Sequence, residues 1–181
     1  MKEGRVLAVH RNPVHGFSKG SVDRIEVVEG LGVTGDAHMG VTVKHRSRVK
    51  ADPTQPNLRQ VHLIAAELLD EVNAEGFDVA PGALGENITT RGLDLIGLPK
   101  GTLLQVGPDA VIEVTGLRNP CSQIENYRAG LLKLMVGKRA DDTPLLRTGI
   151  MGVVLKSGEI HADDAVVVHL PAKPHMRLER V

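Results

Sequence analysis

The chain has 181 residues, of which 41% are hydrophobic and 24% are charged, and its 22 basic side chains balance 22 acidic ones. This composition is typical of a globular protein, and the length predicts one domain, residues 1–181, with a sizeable core. Zero net charge, two Phe, one Tyr and no Trp argue against a nucleic-acid surface, so we expect no nucleic-acid partner.

The N-terminal region and the cysteine content predict where the protein is found. The first apolar run, Val6 to Val9, is too short for a signal-peptide core, and no later run approaches the length of a membrane span. The single cysteine, Cys121, cannot form an internal disulfide, which is typical of a reducing compartment. These features predict a cytoplasmic protein without a membrane partner.

Short apolar or alternating runs separated by Gly, Pro and Asp predict strands along most of the chain. Gly107-Pro108-Asp109 and Ser157-Gly158 are predicted hairpin turns, so the pairing should be largely local and antiparallel. The predicted strands are 5–10, 21–28, 102–106, 110–115, 152–156 and 165–170.

Two helices are predicted between these strands. The first runs from Ile64 to Glu75, where apolar residues recur at helical spacing. The second begins at Ser122, because Ser122-Gln123-Ile124-Glu125 fits a capping box, and Gly130 is expected to split it. Many strands without strand-helix alternation predict a mainly β, α+β fold, a single-domain β-barrel with a few short helices.

Cys121 lies between Arg118 and the predicted start of the second helix. The capping box, and an alternative cap at Asn119, both place the sulfur near free backbone N–H groups. A helix start and a neighbouring cation suit a nucleophile, a sulfur carrier or a soft-metal ligand. The alternative is that Cys121 is an inert, buried hydrophobic residue.

Four cations alternate strictly between residues 44 and 50, and in an extended strand they would project from one face. Such a row either binds an anion, because guanidinium groups match phosphate and carboxylate, or is a solvated strand edge whose charges prevent aggregation. The segment is Lys44-His45-Arg46-Ser47-Arg48-Val49-Lys50.

Histidines provide a further hypothesis. If residues 57–63 form a strand, Gln60 and His62 share its polar face. Together with His38, which follows Gly35-Asp36, His62 and Cys121 would make a zinc site, although no compact ligand spacing supports it. The alternative is that each histidine is a surface or hydrogen-bonded residue.

Four segments, in this order, resemble the MOSC family, which is named for the C-terminal domain of molybdenum cofactor sulfurases. The resemblance extends from about Gly32 to Leu170 and is closest to small standalone bacterial members. The chain departs from it where many members have His-Gly-Gly followed by a lysine, since here His38-Met39-Gly40 precedes the basic segment. The four segments are Gly32 to His38, Arg59 to Ile64, Pro81 to Ile88 and Gly116 to Cys121.

The resemblance implies a β-barrel with a pocket around Cys121, a residue that carries sulfur as a persulfide in the family or ligates molybdenum in a pterin cofactor. We therefore predict catalytic roles for Cys121, Arg118, Asn119 and His62, with Cys121 also the metal ligand. Cofactor-binding roles are predicted for Lys44, Arg46, Arg48, Arg59, Gln60, Asp36, Glu86 and Asn87.

The leading functional hypothesis is a molybdenum-pterin-dependent oxidoreductase or a sulfurtransferase-like protein, acting on a small molecule such as an N-hydroxylated compound. The sequence carries no reductase module and no pyridoxal phosphate module, so a redox partner, or a cysteine desulfurase carrying pyridoxal phosphate, would be a separate protein. One alternative is a thiol or zinc enzyme acting on a small anionic substrate, with His38 or His62 as base or ligand. Another is a non-catalytic ligand-binding module.

Overall fold

The computed structural model describes residues 2–181, which form thirteen strands and four short helices. No helix in this range is long and apolar enough to cross a membrane. The strands are β1 (Lys2–Arg11), β2 (Gly20–Val22), β3 (Arg24–Val28), β4 (Gly32–Val33), β5 (Val61–Ala65), β6 (Ile88–Arg91), β7 (Leu103–Val106), β8 (Ala110–Leu117), β9 (Val136–Lys138), β10 (Pro144–Leu146), β11 (Ile150–Lys156), β12 (Gly158–His161) and β13 (Ala165–His169). The helices are α1 (Arg46–Ala51), α2 (Ala66–Ala74), α3 (Ser122–Tyr127) and α4 (Leu131–Leu134).

Seven strands close into a barrel in the order β13-β7-β8-β11-β5-β6-β1, and β1 pairs back to β13. The β5–β6 pairing is parallel and the other six are antiparallel, so the barrel is mixed. β2 extends the sheet beyond β1, β12-β3-β4 form a separate sheet, and β9-β10 form a hairpin. The predicted mainly β fold, a barrel with a few short helices, is confirmed.

Alternate residues of the barrel strands fill its interior, as their two-residue period predicts. In β8, for example, Ala110, Ile112 and Val114 are fully buried. A second cluster lies outside the barrel, where the helices supply side chains such as Val72 and Ile124. Each large apolar side chain buried in this way stabilises the fold by about 1.5–3 kcal/mol.

The predicted local pairing holds at one turn and fails at another. β7 and β8 pair across residues 107–109, as predicted. The hairpin predicted at Ser157-Gly158 is wrong, because β12 pairs with β3 and not with β11. β5 pairs only with Ile150, Met151 and Gly152 of β11. Nearer Ser157, the Val154 amide donates to Gln60 Oε1 and the Val154 carbonyl oxygen accepts from the Gly30 amide, so these backbone groups are not free for β12.

The first predicted helix is displaced by one or two residues at its ends, and the second starts at the predicted residue. Ile64 belongs to β5, and the first helix, α2, starts at Ala66. The second starts at Ser122, but its N-cap is Cys121 and no side chain makes a capping hydrogen bond, so the predicted capping box is wrong. Glu125 instead accepts a hydrogen bond from the Gly130 amide at 2.7 Å. Gly130, with φ of 85°, splits the helix as predicted.

The basic segment is not a strand, because residues Arg46–Ala51 form α1 and the four cations do not alternate along one extended face. An isolated strand needs a neighbouring edge for its backbone groups, whereas a helical turn satisfies its own. The Val49 amide donates to the His45 carbonyl oxygen at 3.0 Å in this way. α1 buries none of its residues, so its side chains are available to ligands or to solvent.

The C-terminal residues lie along the end of β8. The Leu117 amide donates to the Glu179 carbonyl oxygen at 2.8 Å, the Val181 amide donates to the Leu117 carbonyl oxygen at 3.2 Å, and Leu178 is buried. Gly116 permits this contact, because a Cβ there would lie 2.6 Å from the Glu179 oxygen. The first two residues of the predicted site segment, Gly116 and Leu117, therefore contact the C-terminal segment.

Replacing Gly116 by alanine is expected to displace residues 178–181 and to lower the free energy of unfolding by about 1–3 kcal/mol, because the added Cβ overpacks a close backbone contact. Urea denaturation measures the loss. Gly20→Ala is the matched control, since a Cβ there meets nothing within 4 Å. Equal stability of the two variants would contradict the prediction.

Candidate functional site

A cavity of about 810 Å³ lies where five parts of the chain meet. These are the loop between β1 and β2, the segment that contains α1, the start of β5, the turn before β6 and the loop between β8 and α3. Met151 of β11 and Arg180 of the C-terminal segment complete the wall. The side chains that meet there come from distant parts of the sequence.

The cavity wall is strongly cationic, and none of its residues is Asp or Glu. Lys19 pairs with Asp36 behind the wall, whereas within residues 2–181 the other cations have no carboxylate oxygen within 4.0 Å. In a chain of zero net charge, such segregation gives the cavity a positive electrostatic potential. The cations are Lys19, Lys44, Arg46, Arg48, Arg59, Arg118 and Arg180.

Arg118 is the most deeply buried of the unpaired cations, with 9% of its surface exposed. Its amide donates to the Gly149 carbonyl oxygen at 3.0 Å, and its own carbonyl oxygen accepts from Thr148 Oγ1 at 3.0 Å. Its Nη1 is buried and has no hydrogen-bond partner. A buried, unsatisfied charged donor is costly, so this atom is available to a hydrogen-bond acceptor in the cavity.

Cys121 is half-buried on the same wall. Its Sγ lies 3.6 Å from Gln123 Oε1, to which the thiol donates. Burial, followed by the charges of Arg48 and Arg118, lowers the pKa of Arg59 to about 10, and a Cys121 thiolate opposes this shift. Burial also lowers the pKa of Arg118, and a Cys121 thiolate again opposes the shift. The sulfur therefore lies within the electrostatic reach of two arginines.

Asp36 organises the wall from behind, with its side chain 1% exposed. Its carboxylate accepts hydrogen bonds from Lys19 Nζ at 2.9 Å, Asn87 Nδ2 at 3.1 Å and the His38 amide at 3.0 Å. Burial would raise the pKa of Asp36, but the hydrogen bonds from His38 and the charge of Lys19 hold it well below its usual range. The carboxylate is therefore ionised and fully engaged with the protein.

Gln60 and Glu86, two of the predicted cofactor-binding residues, do not line the cavity, and neither does Asp36. Gln60 Nε2 donates to the Gly30 carbonyl oxygen at 3.0 Å, while its Oε1 accepts from the Val154 amide at 2.9 Å. Glu86 Oε1 accepts from the Gly82 amide at 2.6 Å, and burial raises the pKa of Glu86. The predicted residues that do line the cavity are Lys44, Arg46, Arg48, Arg59, His62, Asn87, Arg118, Asn119 and Cys121.

The hypothesis of a zinc site is wrong, because no group of three His, Cys, Asp or Glu residues within residues 2–181 is arranged to hold a metal ion. His62 Nε2 lies 2.7 Å from the Thr148 carbonyl oxygen, so this nitrogen carries the proton and donates. Burial, and then the charge of Arg118, keep the pKa of His62 well below its ordinary value. His38 Nδ1 is engaged with Asp36 Oδ1 at 3.3 Å.

Four basic or imidazole side chains of the cavity wall have no role in the sequence-based prediction: His15, Lys19, His45 and Arg180. His15 and Lys19 belong to the loop after β1, and Arg180 to the C-terminal segment. Their neighbouring residues contain no motif. Among these four residues, only His45 lies in a sequence pattern, the alternating cations of residues 44–50. That pattern does not predict a role for His45 itself.

A family model for the MOSC domain matches residues 34–167, and the chain therefore belongs to the MOSC domain family. The crystal structure of YuaD from Bacillus subtilis is similar, with a TM-score of 0.76 and 23% identity over 94% of this chain and 97% of YuaD.

Two further solved structures are similar. The TM-score is 0.63 for YiiM from Escherichia coli, with 20% identity over 96% of this chain and 73% of that one. It is 0.61 for YiiM from Geobacillus stearothermophilus, with 18% identity over 96% of this chain and 77% of that one. These similarities establish a shared fold. A comparison with curated proteins gives no match.

Replacing Asp36 by asparagine is expected to lower the free energy of unfolding at pH 7 by about 3–5 kcal/mol, because Lys19 is left buried without its counter-charge. The pKa of Asp36 is lowered in the folded state, so the stability it provides is present above about pH 4 and is lost as the pH falls. Urea denaturation at several pH values should show that the free energy of unfolding falls less steeply with decreasing pH in the variant than in the wild type.

The double variant Lys19→Met/Asp36→Asn removes both charges and should recover most of the loss. Asp109→Asn removes an exposed carboxylate, paired with Lys156 at 3.4 Å, and serves as the control with little effect. A loss in Asp36→Asn no larger than in this control would refute the role of the buried pair.

Proposed function

We propose that this protein binds a phosphate-bearing molybdenum-pterin cofactor in its cationic cavity and uses Cys121 as the soft donor towards molybdenum or sulfane sulfur. The observation that carries the proposal is the carboxylate-free cavity of about 810 Å³ with the only thiol of the chain in its wall. Thiolate is the side-chain ligand that suits soft metals and sulfur, and guanidinium groups suit phosphate.

The residues fit both parts of such a cofactor. Arg48, Arg59 and Arg118 would hold the phosphate, because they are unpaired and act electrostatically on one another. The unsatisfied Nη1 of Arg118 supplies a donor that is already free. Asn119 adds an amide group to the wall, which can bind the polar edge of a pterin, whereas the side chain of Asn87 is already bonded to His10, Asp36 and His62. When bound, the cofactor would supply the redox chemistry of molybdenum.

In this proposal His62 does not touch the cofactor chemistry itself. It acts through Thr148 and helps to position Arg118. Its Nε2 donates to the Thr148 carbonyl oxygen, and Thr148 Oγ1 donates to the Arg118 carbonyl oxygen. The buried imidazole therefore supports the loop that carries Arg118 and, three residues later, Cys121. This chain of contacts holds the backbone of Arg118 at the start of the loop that leads to Cys121.

The substrate and the partner follow from the same proposal. A small molecule such as an N-hydroxylated compound would be reduced with electrons from a separate redox protein. Alternatively, sulfur would reach Cys121 from a cysteine desulfurase that carries pyridoxal phosphate. In both cases the chemistry depends on an accessible sulfur, and Cys121 is half-buried on the cavity wall.

Replacing Cys121 by alanine or by serine is expected to reduce bound molybdenum, or cyanolysable sulfane sulfur, at least tenfold, because each change deletes the only soft thiolate. Denaturant midpoints should stay close to that of the wild type, since the sulfur is only half-buried. Elemental analysis, cyanolysis and urea denaturation of protein from a cofactor-producing host make the measurements.

Two outcomes would contradict the role of Cys121. One is unchanged molybdenum and sulfur in the alanine variant. The other is a large loss of stability that accompanies the loss of metal in both variants, which would make Cys121 a structural residue. Loss of molybdenum without loss of sulfane sulfur would select metal ligation, and the reverse would select sulfur carriage.

Replacing Arg48 and Arg59 together by glutamine is expected to lower the pterin content at least tenfold, because two charge-assisted contacts to phosphate are lost, each contributing about 1.5–3 kcal/mol. Fluorescence of the oxidised pterin measures the content. Lys50→Gln is the matched control, because Lys50 lies on α1 but is exposed and outside the cavity wall. Equal pterin content in the double variant and the control would refute the assignment.

A further inference from the structure

The unpaired cations of the cavity fall into two groups. We call the first the sulfur end; it consists of Arg48, Arg59, Arg118 and Arg180 with Cys121. Burial lowers the pKa of Arg59, and the charges of Arg48, Arg118 and Arg180 lower it further, so these guanidinium groups are neighbours. Cys121 acts on Arg59 with the opposite sign. This end holds the cofactor phosphate in the proposed function.

We call the second group the histidine end; it consists of His15, His38, Lys44 and Arg46. The rings of His15 and His38 meet edge to face, with centroids 5.3 Å apart. Burial lowers the pKa of His15, followed by the charges of His38 and Arg46, so Arg46 is near this pair. The Lys44 side chain lies directly against Gly40, two residues after His38. Lys44 and Arg46 are not among the charges that act most strongly on Arg59. His45 lies where the two groups meet, because burial and then the charges of Arg59 and His38 lower its pKa.

His38 is held in one orientation at this end. Its Nδ1 lies 3.3 Å from Asp36 Oδ1, its amide donates to the same oxygen, and its carbonyl oxygen accepts from Asn57 Nδ2 at 2.9 Å. Because Asp36 is ionised, Nδ1 carries a proton and Nε2 is left for another partner. Within residues 2–181, His38 Nε2 forms no hydrogen bond.

The charge of the cavity exceeds what one phosphate neutralises. A phosphate monoester carries about two negative charges at neutral pH, and the four arginines of the sulfur end already exceed that number. Lys44 and Arg46 then have no counter-charge from the protein or from the phosphate. Like charges repel by about 1–4 kcal/mol at 4 Å, so a second anion at the histidine end would relieve this repulsion.

We propose that the histidine end is a second anion subsite, which takes the oxyanionic group, carboxylate or phosphate, of a small-molecule substrate. Lys44 and Arg46 bind the charge, and the imidazolium form of His38, in which Nε2 also carries a proton, donates a hydrogen bond from Nε2 to the same group. The proposal rests on the proposed function only in assigning the sulfur end to the cofactor. It predicts that acidic substrates are preferred over neutral ones.

Calorimetric titration of the cofactor-free full chain with inorganic phosphate at low salt tests the subsite. The expected stoichiometry is two phosphates per chain for the wild type and for Lys50→Gln. Lys44→Gln/Arg46→Gln should retain the site at the sulfur end, and Arg48→Gln/Arg59→Gln should retain the site at the histidine end. His38→Gln should weaken only the latter, by about tenfold, as expected for one hydrogen bond to an anion.

A wild-type stoichiometry of one, or weakening of one common site by both double variants, would overturn the subsite. Circular dichroism and melting temperature check folding, and the Lys44 and Arg46 changes should preserve it because α1 buries no residue. Titration with acetate identifies the substrate class, since acetate binding at the histidine end indicates a carboxylate, and phosphate binding alone indicates a phosphorylated compound.

The molybdenum and pterin content of the native protein separates the two proposals. Two phosphate sites in a protein without molybdenum or pterin would refute the proposed function and leave the second subsite standing. A molybdenum-containing protein whose histidine end binds neither phosphate nor acetate would refute the subsite alone.

Discussion

The buried ion pair between Lys19 and Asp36 is the interaction on which the cavity depends. Lys19 belongs to the loop after β1, and Asp36 to the turn after β4, so the pair joins two segments that are separate in sequence. The same carboxylate binds Asn87, before β6, and the His38 amide. One ionised group thus positions the loop after β1, the turn before β6 and the histidine end. Removing either charge alone would leave the other buried and unpaired, which is why the wall should be sensitive to such changes.

Charge segregation is the second constraint. The chain is neutral overall, yet its cavity is lined by cations and contains no Asp or Glu. Acidic residues elsewhere are engaged in surface pairs, such as Asp70 with Arg91 at 2.8 Å. A protein keeps unpaired like charges together only where something compensates their repulsion, and a bound anion is the simplest compensation. The unsatisfied Nη1 of Arg118 supports the same conclusion from hydrogen bonding.

The barrel provides the rigid frame that brings Cys121 to this wall. Arg118 leaves the end of β8 while its amide is bonded to Gly149, just before β11, and Leu117 is bonded to the C-terminal segment. The loop from Arg118 to Cys121 is therefore held from two sides before α3 begins. Sites built on strand ends in this way keep a reactive side chain in place with little entropy left to lose on binding.

Local patterns determined much of this protein. Two-residue alternation predicted most barrel strands, Gly130 predicted the split between α3 and α4, and the adjacency of Arg118 and Cys121 predicted the centre of the site. Each of these features depends on residues within a few positions of one another.

Tertiary structure decided the other features, because they depend on pairing between distant parts of the chain. Arg46–Ala51 formed a helix and not a strand, and β12 paired with β3 while the backbone groups of Val154 in β11 bonded to Gln60 and Gly30. Lys19 and Arg180 reached the cavity only because barrel closure brings both ends of the chain to one wall, and no local sequence pattern encodes that meeting.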